Sequence, residues 1–427
     1  MIKLSLPYCV LILLSIFLIS CSNHTNQSNK LRPLNNTKTA SQILGNSDYL
    51  AISYGGYREI TRETEPTISQ LKDDMKILSA MGIKVVRTYN TKQKQAANLL
   101  QAISEMSAEN SDFEMYVMLG AWIDCKNAWT GIAPNHDEEN EEANNAEINR
   151  AVELANKYPD IVKIIAVGNE AMVTWATNYF VKPKVILKWV NHLQNLKKES
   201  KLDTSLWITC SDNFASWGGG DSLYHCKDLE NLIKAVDYVS LHTYPMHDTH
   251  YNPVFWGILD SEKNLSKTKA LELIMDRAVL YAQKQYNNAA QYIHSIDSSK
   301  QVHIGETGWA SSSIGLYGKM GSKACDEYKA GLYYHKMREW TTKAGISCFY
   351  FEAFDEKWKD SQNPGGSENH FGLFKINGEA KYVVWTLVDK GVFKGLGRNG
   401  NTIQKTYNGN LNALIEDTEL SPAKQLN

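Results

Sequence analysis

Short apolar runs alternate with amphipathic stretches along most of this chain. Each run has the length and the β-branched and aromatic content of a strand, and each following stretch places its apolar residues on one helical face. The stretch after Thr67 is an example, because Thr67 and Gln70 form a capping box and Ile68, Leu71 and Met75 then share a face. The predicted strands are 50–55, 84–90, 114–120, 163–170, 207–212, 238–244, 302–306 and 348–355.

This alternation predicts an α/β fold with a parallel sheet covered by helices. Parallel strands are buried on both faces, which explains why run 163–170 is apolar without a period of two. Eight strand–helix units suit closure into one (β/α)8 TIM barrel. A doubly wound open sheet is the alternative, but no GxGxxG or Walker sequence follows the first strand.

The first 21 residues have the pattern of a targeting segment. Lys3 supplies a positive charge before the apolar run Cys9–Ile19, and Leu18-Ile-Ser-Cys21 resembles a bacterial lipobox. An uncleaved membrane anchor is the alternative, but the apolar run is short for a full span. We therefore predict a lipoprotein signal peptide over residues 1–21, with Cys21 as the lipidated residue.

The remaining chain divides into three predicted segments. Residues 22–44 are rich in Asn, Ser, Thr and Lys and predict a flexible tether. The barrel is predicted over 45–400, as a single catalytic domain, and a C-terminal extension over 401–427. With its anchor on Cys21, the protein is expected in a bacterial cell envelope, on the outer membrane, with the barrel in the periplasm or at the cell surface.

The net charge and the aromatic content of the chain limit the classes of ligand that it is expected to bind. The chain has 427 residues, 43% of them apolar, and a formal net charge of −2. The charge and the absence of a basic cluster give no electrostatic basis for nucleic-acid binding. The 11 Trp and 22 Tyr residues supply flat rings that can stack on sugars, although many of them are expected in the core.

Metal and thiol chemistry receive little support from the spacing of residues. His242, His247, Asp248 and His250 follow the pattern His-x4-His-Asp-x-His, which is not a common zinc pattern, so we predict no metal and no cofactor. After Cys9 and Cys21, five cysteines remain, with no CxxC pair among them. One disulfide stays open as an alternative, without assigned partners. No GxSxG sequence supports a serine hydrolase.

The predicted strand ends carry polar and aromatic side chains. In barrels the active site lies at the C-terminal ends of the strands. The set lacks a cationic clamp for phosphate and suits a neutral, hydroxyl-rich substrate, a carbohydrate. Its members are Tyr54, Tyr89, Asn90, Trp122, Asn169, Glu170, Asp212, His242, Tyr244, Glu306, Trp309, Asp355 and Glu356.

Two glutamates at strand ends indicate the chemistry. Glu170 and Glu306 each end an apolar strand, where a carboxylate is either paired or functional. The fourth and seventh strands lie almost opposite in an eight-stranded barrel, so the two carboxylates can face each other. Glycoside hydrolysis uses such a pair, about 5–5.5 Å apart in retaining enzymes and about 6.5–9.5 Å apart in inverting ones. Spacing in the sequence leaves both outcomes open.

Four motifs in order resemble those of glycoside hydrolase family 17. They are Val167-Gly-Asn-Glu170, Gly305-Glu-Thr-Gly-Trp309, Phe354-Asp-Glu-Lys-Trp-Lys359 and His370-Phe-Gly-Leu-Phe374. The resemblance extends over most of the chain after the tether and is greatest to the bacterial branch, which includes laminarin-type glucanases. It implies a retaining β-1,3-glucanase on a (β/α)8 barrel.

The resemblance also implies roles at the matching positions. Glu170 would be the general acid/base and Glu306 the nucleophile. Asn169 would bind the 2-hydroxyl, Tyr244 would hydrogen-bond the nucleophile, and Tyr89 would lie near the cleaved sugar.

Four further residues are predicted to contribute to substrate binding. Glu356 and Lys359 match an auxiliary acidic and basic pair, Trp309 would be an aromatic wall for a glucose ring, and Tyr54 is included from its strand end. Ala310 departs from the family pattern, which often has proline there, and this concerns the stiffness of the loop.

The sequence thus predicts a monomeric lipoprotein that hydrolyses β-1,3-glucosidic bonds of a laminarin-like β-glucan. Two alternatives remain. The first is a β-1,3-glucanosyltransferase, in which a sugar hydroxyl replaces water. The second is a non-catalytic glycan-binding lipoprotein, against which the presence of both glutamates argues.

Overall fold

The computed structural model describes residues 37–424, so the predicted signal peptide, Cys21 and most of the tether lie outside the described residues. Eight parallel strands form a closed barrel in which each strand pairs with its neighbours in the sequence. The first and last strands close the ring, with Ala51 opposite Phe349. The predicted (β/α)8 fold is confirmed. The strands are β1 Leu50–Ser53, β2 Ile83–Arg87, β3 Tyr116–Ala121, β4 Val162–Asn169, β5 Trp207–Asn213, β6 Val239–His242, β7 Val302–Gly308 and β8 Cys348–Phe351.

The predicted alternation of strands and helices is present, and the helix Lys227–Ala235 between the fifth and sixth strands was not predicted. The capping box is present, because the Gln70 backbone N–H donates to Thr67 Oγ1 at 3.3 Å and Gln70 Oε1 accepts from the Thr67 N–H at 2.9 Å. Among residues 37–424, no helix is long and apolar enough to cross a membrane. The helices are α1 Ala40–Ile43, α2 Ile68–Ala80, α3 Gln95–Glu109, α4 Glu141–Lys157, α5 Pro183–Lys198, α6 Lys227–Ala235, α7 Pro245–Tyr251, α8 Lys267–Ile296, α9 Glu327–Ala344, α10 Trp385–Asp389 and α11 Leu411–Asp417.

The core has two layers, and β4 contributes to both. Ile164 and Ala166 belong to the cluster inside the barrel, whereas Ile165 and Val167 pack in the layer between strands and helices. A strand with both faces buried explains the continuous apolar run in this segment. It also leaves the end of the strand as the place where polar residues can reach solvent.

Two small hairpins were not predicted. Cys125–Lys126 pairs with Asn135–Glu139 in the β3–α4 loop, and Gly397–Arg398 pairs with Asn401–Thr402. The acidic run 137–142 therefore begins in a strand and ends in the first turn of the following helix, α4. Its side chains pair with lysines, as Glu138 does with Lys126 at 2.7 Å.

The segment predicted as a C-terminal extension packs against the barrel up to residue 424. Leu414 lies in a buried cluster with Leu271 and Tyr328 of the helical layer. Thr406 Oγ1 donates to Glu327 at 2.6 Å, and the Lys424 backbone N–H donates to the Ile258 carbonyl at 2.8 Å. These contacts make residues 401–424 part of the same folded unit.

Candidate active site

Glu306, at the C-terminal half of β7, is buried among hydrogen-bond donors. Its Oε2 accepts from Arg87 Nη1 at 2.5 Å and from the Tyr89 hydroxyl at 2.8 Å, and its Oε1 accepts from the Tyr244 hydroxyl at 2.6 Å. Burial raises the pKa of Glu306, but attraction by His242 and Arg87 and the two hydroxyl hydrogen bonds outweigh it, so the pKa lies below its ordinary value. Glu306 is therefore an ionised carboxylate at neutral pH, as a nucleophile requires.

Arg87, at the end of β2, connects the two halves of the site. Its guanidinium donates to Glu306 and to the Gly305 carbonyl at 2.9 Å through Nη1, and to Asn169 Oδ1 through Nη2. Arg87 was not among the residues predicted from the sequence to form the site. Its position inside an apolar strand was the available signal, because a buried guanidinium requires a buried carboxylate partner.

Glu170 has a more open environment than Glu306. Its side chain is 26% exposed, and its Oε1 lies 3.1 Å from Nδ1 of the buried His242. Its backbone has a φ of +45°, in the left-handed region, and its N–H donates to the Ser211 carbonyl at 3.0 Å. A carboxyl group with access to solvent can exchange its proton with substrate and water, which suits a general acid/base.

His242, the last residue of β6, lies next to both Glu170 and Glu306. Its Nε2 lies 2.7 Å from Ser211 Oγ, which lies 2.8 Å from Ser240 Oγ, so the ring is fixed by hydroxyl groups on the side away from Glu170. In the sheet register His242 is paired with Glu306. His242 was predicted as a strand-end residue, and the structure places its Nδ1 within hydrogen-bond distance of Glu170.

Asp212, at the end of β5, lies behind Glu170. It accepts hydrogen bonds from the Met172 N–H at 2.8 Å and from Ser216 Oγ at 2.6 Å, and so fixes the backbone just after Glu170. Burial, together with repulsion from Glu170, raises the pKa of Asp212 to about 6, although the hydrogen bonds oppose this.

A second acidic group lies after β8. Lys359 Nζ is 3.4 Å from Glu352 and 3.6 Å from Glu356, so the predicted pair is present. Glu352 was not predicted, and burial raises its pKa well above the ordinary value, against the attraction of Lys359. Glu356 is buried and accepts from the Tyr57 N–H at 2.9 Å. The predicted contact between Glu356 and substrate is therefore wrong, because this carboxylate is enclosed by protein groups.

Two predicted substrate contacts are core residues. Trp309 is 1% exposed, its indole N–H donates to the Ala324 carbonyl at 2.8 Å, and it packs on Tyr333. Tyr54 is equally buried, and its hydroxyl donates to Asp74 at 2.8 Å. Both predictions are wrong, because these rings are enclosed in the layer between strands and helices and cannot touch a sugar.

The structure brings five of the predicted site residues together at the mouth of the barrel. Two residues outside this set link its members: His242 lies within hydrogen-bond distance of Glu170, and Arg87 donates a hydrogen bond to Glu306. Among residues 37–424, no group of three or more His, Cys, Asp or Glu side chains could hold a metal ion. The five residues are Tyr89, Asn169, Glu170, Tyr244 and Glu306.

Comparison with known proteins gives a family and two kinds of relative. The profile of the BtgE/BtgC glycoside hydrolase domain matches residues 51–372. A putative glucan endo-1,3-beta-glucosidase from Aspergillus niger is 23% identical over 80% of this chain, and the chain spans only 43% of that protein. A glucan 1,3-beta-glucosidase from Arthroderma benhamiae is 25% identical over 74% of this chain and 83% of its own length.

Solved structures agree with this relationship. An endo-laminarinase from Formosa Hel1_33_131 has 62% sequence identity and a TM-score of 0.90, covering 91% of this chain and 99% of its own. A family 17 β-1,3-glucanosyltransferase from Rhizomucor miehei has the same fold at 19% identity, with a TM-score of 0.54, covering 79% of this chain and 96% of its own. The chain therefore belongs to the BtgE/BtgC glycoside hydrolase family, which confirms its predicted membership of glycoside hydrolase family 17.

Proposed function

We propose that this protein hydrolyses β-1,3-glucosidic bonds of laminarin-like β-glucan with net retention of configuration. The observation that carries the proposal is the asymmetry of its two carboxylates at one barrel mouth. Glu306 is buried and kept ionised by Arg87 and two tyrosines, whereas Glu170 is partly exposed. The 62% identity to a protein described as an endo-laminarinase supports the same substrate.

In the first step, Glu306 attacks the anomeric carbon while Glu170 donates its proton to the departing glycosidic oxygen. A covalent glycosyl-enzyme forms and the sugar on the leaving side departs with that proton. In the second step, Glu170, now ionised, removes a proton from water, and the water oxygen displaces Glu306. Both carboxylates thereby return to their starting states.

Neighbouring residues support these steps in distinct ways. The Tyr89 and Tyr244 hydroxyls hold the two Glu306 oxygens in fixed directions, so the nucleophile is oriented before substrate arrives. Asn169, held by Arg87, is placed beside Glu170 for the predicted contact with the 2-hydroxyl.

The test is a pair of amide variants assayed on laminarin. Glu306→Gln removes the nucleophile, and Glu170→Gln removes the proton donor, so each should lose on the order of 10²–10⁴-fold or more in kcat/KM. The two variants are separable with an activated aryl β-glucoside, whose leaving group needs no proton. Formation of the glycosyl-enzyme from this substrate should recover in Glu170→Gln and not in Glu306→Gln.

The anomeric configuration of the product and the nature of the acceptor test the proposal independently of these variants. NMR of the first products should show the β-anomer, and an α-anomer would contradict double displacement. Oligosaccharides longer than the substrate would instead favour the glucanosyltransferase alternative. Binding of laminarin with no turnover by the wild type would favour the non-catalytic glycan-binding alternative.

We also propose that the protein is anchored by a lipid on Cys21 in a bacterial cell envelope, with its barrel in the periplasm or at the surface, and that it acts as a monomer. The lipobox-like sequence ending at Cys21 supports the anchor. Expressed in a Gram-negative host, the wild type should partition into detergent and incorporate labelled palmitate, and Cys21→Ser should do neither. Light scattering of the Cys21→Ser protein should give the mass of one chain.

A further inference from the structure

An aromatic stack with one exposed end is formed by the loops after β3 and β4, at the same end of the barrel as Glu170. It consists of Trp122 and Trp129, from the loop after β3, and Tyr179, from the loop after β4. We call these three residues the aromatic platform. The Trp129 and Tyr179 ring centroids are 5.3 Å apart with planes at 21°, and those of Trp122 and Tyr179 are 5.0 Å apart at 41°. Trp129, at the outer end, is 62% exposed.

The platform is held rigidly by one carboxylate. Both indole N–H groups donate to Oδ1 of Asp124, from Trp122 at 2.6 Å and from Trp129 at 3.2 Å. Asp124 is in turn fixed by Asn144, which accepts from its N–H at 2.9 Å and donates to its carbonyl at 3.0 Å. Because both indole N–H groups are occupied, Trp129 presents an apolar ring to solvent in a preset orientation, which lowers the entropy lost on binding.

The backbone at Trp129 supports a role beyond packing. Its φ is +60°, in the left-handed region that a bulky residue rarely adopts. Trp129 lies in the loop that joins the two strands of the hairpin, and the Cys125 N–H donates to the Tyr179 carbonyl at 3.1 Å, which ties this loop to the loop after β4. A large exposed ring in a disfavoured conformation adds nothing evident to the core, so its exposed face is where a function is expected.

The platform is continuous with the candidate active site. Glu170 directly precedes the loop that carries Tyr179, and the base of that loop is closed by the Val181 N–H donating to the Ala171 carbonyl at 2.7 Å. Burial, and then repulsion from the negative charges of Glu170, Asp212 and Glu306, raise the pKa of Tyr179 above its ordinary value. Tyr179, which is stacked on the exposed Trp129 with ring centroids 5.3 Å apart, thus connects the loop after Glu170 to the outer end of the platform.

We propose that the aromatic platform is a glucosyl-binding subsite for the part of a β-glucan chain next to the bond that Glu170 protonates, with a glucose ring stacked on Trp129. The inference rests on the proposed function. The ring of a β-linked glucose carries its hydroxyls at the edge, so its two faces present C–H groups that match an indole face. The platform makes turnover depend on chain length, because a short oligosaccharide does not reach Trp129.

The test compares full-length wild type with Trp129→Ala on laminari-oligosaccharides of increasing length. We expect the ratio of kcat/KM for the longest to that for the shortest cleaved oligosaccharide to fall roughly tenfold. This is the loss typical of truncating an aromatic side chain that the bound ligand covers. Trp129→Tyr, which keeps a flat ring, should restore most of the ratio. The matched control is Trp175→Ala, on the same loop as Tyr179, which is 57% exposed and pairs with no aromatic ring among the described residues.

A binding measurement covers the case in which Trp129→Ala folds poorly. In the Glu306→Gln background, laminarin should quench tryptophan emission, and adding Trp129→Tyr should reduce the quenching. An unchanged length dependence in Trp129→Ala, with an active wild type, would overturn the platform and leave the proposed function intact. A wild type that cleaves neither laminarin nor its oligosaccharides would overturn both.

Discussion

Glu170 and Glu306 are the same residue type, and only their surroundings distinguish the different roles that we propose for them. Glu306 is enclosed by a guanidinium and two phenols, all of which favour the charged form over the neutral one. Glu170 keeps a quarter of its side chain open and has a histidine as its nearest partner. Glu306 is therefore kept ionised before substrate binds, which is the state that the proposed double displacement requires of its nucleophile.

The hydrogen bond from Tyr244 predicts a change in pH dependence. Tyr244 stabilises ionised Glu306, so Tyr244→Phe should raise the pKa of Glu306 towards its ordinary value. Since only the ionised form attacks, the acid limb of the kcat/KM profile should move to higher pH. Initial rates on laminarin across acidic pH measure this shift. An acid limb at the wild-type position would show that Tyr244 does not tune Glu306.

At the scale of elements, the strand ends position the site and the close approach of strands sets its dimensions. Gly120 of β3 shows how little space separates β3 from the end of β2. A Cβ at Gly120 would lie 2.4 Å from the Thr88 carbonyl oxygen and 2.7 Å from the Tyr89 backbone. The segment after β2, which carries Tyr89, can therefore approach β3 only because position 120 has no side chain.

We expect Gly120→Ala to damage both stability and catalysis. The methyl group would push against the Tyr89 backbone, which should cost about 1–3 kcal/mol of the free energy of unfolding and displace the Tyr89 hydroxyl from Glu306. Denaturant unfolding and kcat on laminarin report the two effects. Gly131→Ala is the matched control, because a Cβ there has nothing within 4 Å. Equal stability of the two variants would contradict the steric argument.

For the whole molecule, the barrel is completed by chain that follows its last strand. Residues after β8 supply Lys359, whereas those after 400 cover the outer face of α8 and α9. Arg398 also reaches back across the fold to the buried Asp74, at 2.9 Å. The C-terminal segment thus contributes to the stability of the barrel.

Leu414→Ala tests this contribution. Leu414 is buried in the cluster with Leu271 and Tyr328, so its truncation should cost about 2–5 kcal/mol of the free energy of unfolding. Leu411→Ala, on the same helix but 44% exposed, should change it by less than about 0.5 kcal/mol. Chemical denaturation followed by circular dichroism gives both values. Similar small losses in the two variants would mean that the segment is a separate appendage.

Local patterns in the sequence were enough to predict the fold class, the strand order and the presence of Glu170 and Glu306 at two strand ends. Strand and helix periods, the Thr67 cap and the polar strand ends are properties of neighbouring residues, and the rules of parallel barrels then place every strand end at one mouth. The partner of Glu306 could not be read in this way, because Arg87 lies 219 residues away in the sequence.

Tertiary structure alone decided which residues near the strand ends are exposed at the barrel mouth. Trp309 and Trp129 are both tryptophans near the ends of strands, yet one is 1% and the other 62% exposed. Exposure depends on how distant loops pack, since Ala324 and Tyr333 cover Trp309 while the hairpin after β3 holds Trp129 outward. The sequence determined that carboxylates and aromatic rings would gather at the barrel mouth. Long-range packing decided which of them can touch a substrate, because burial is a property of the whole fold.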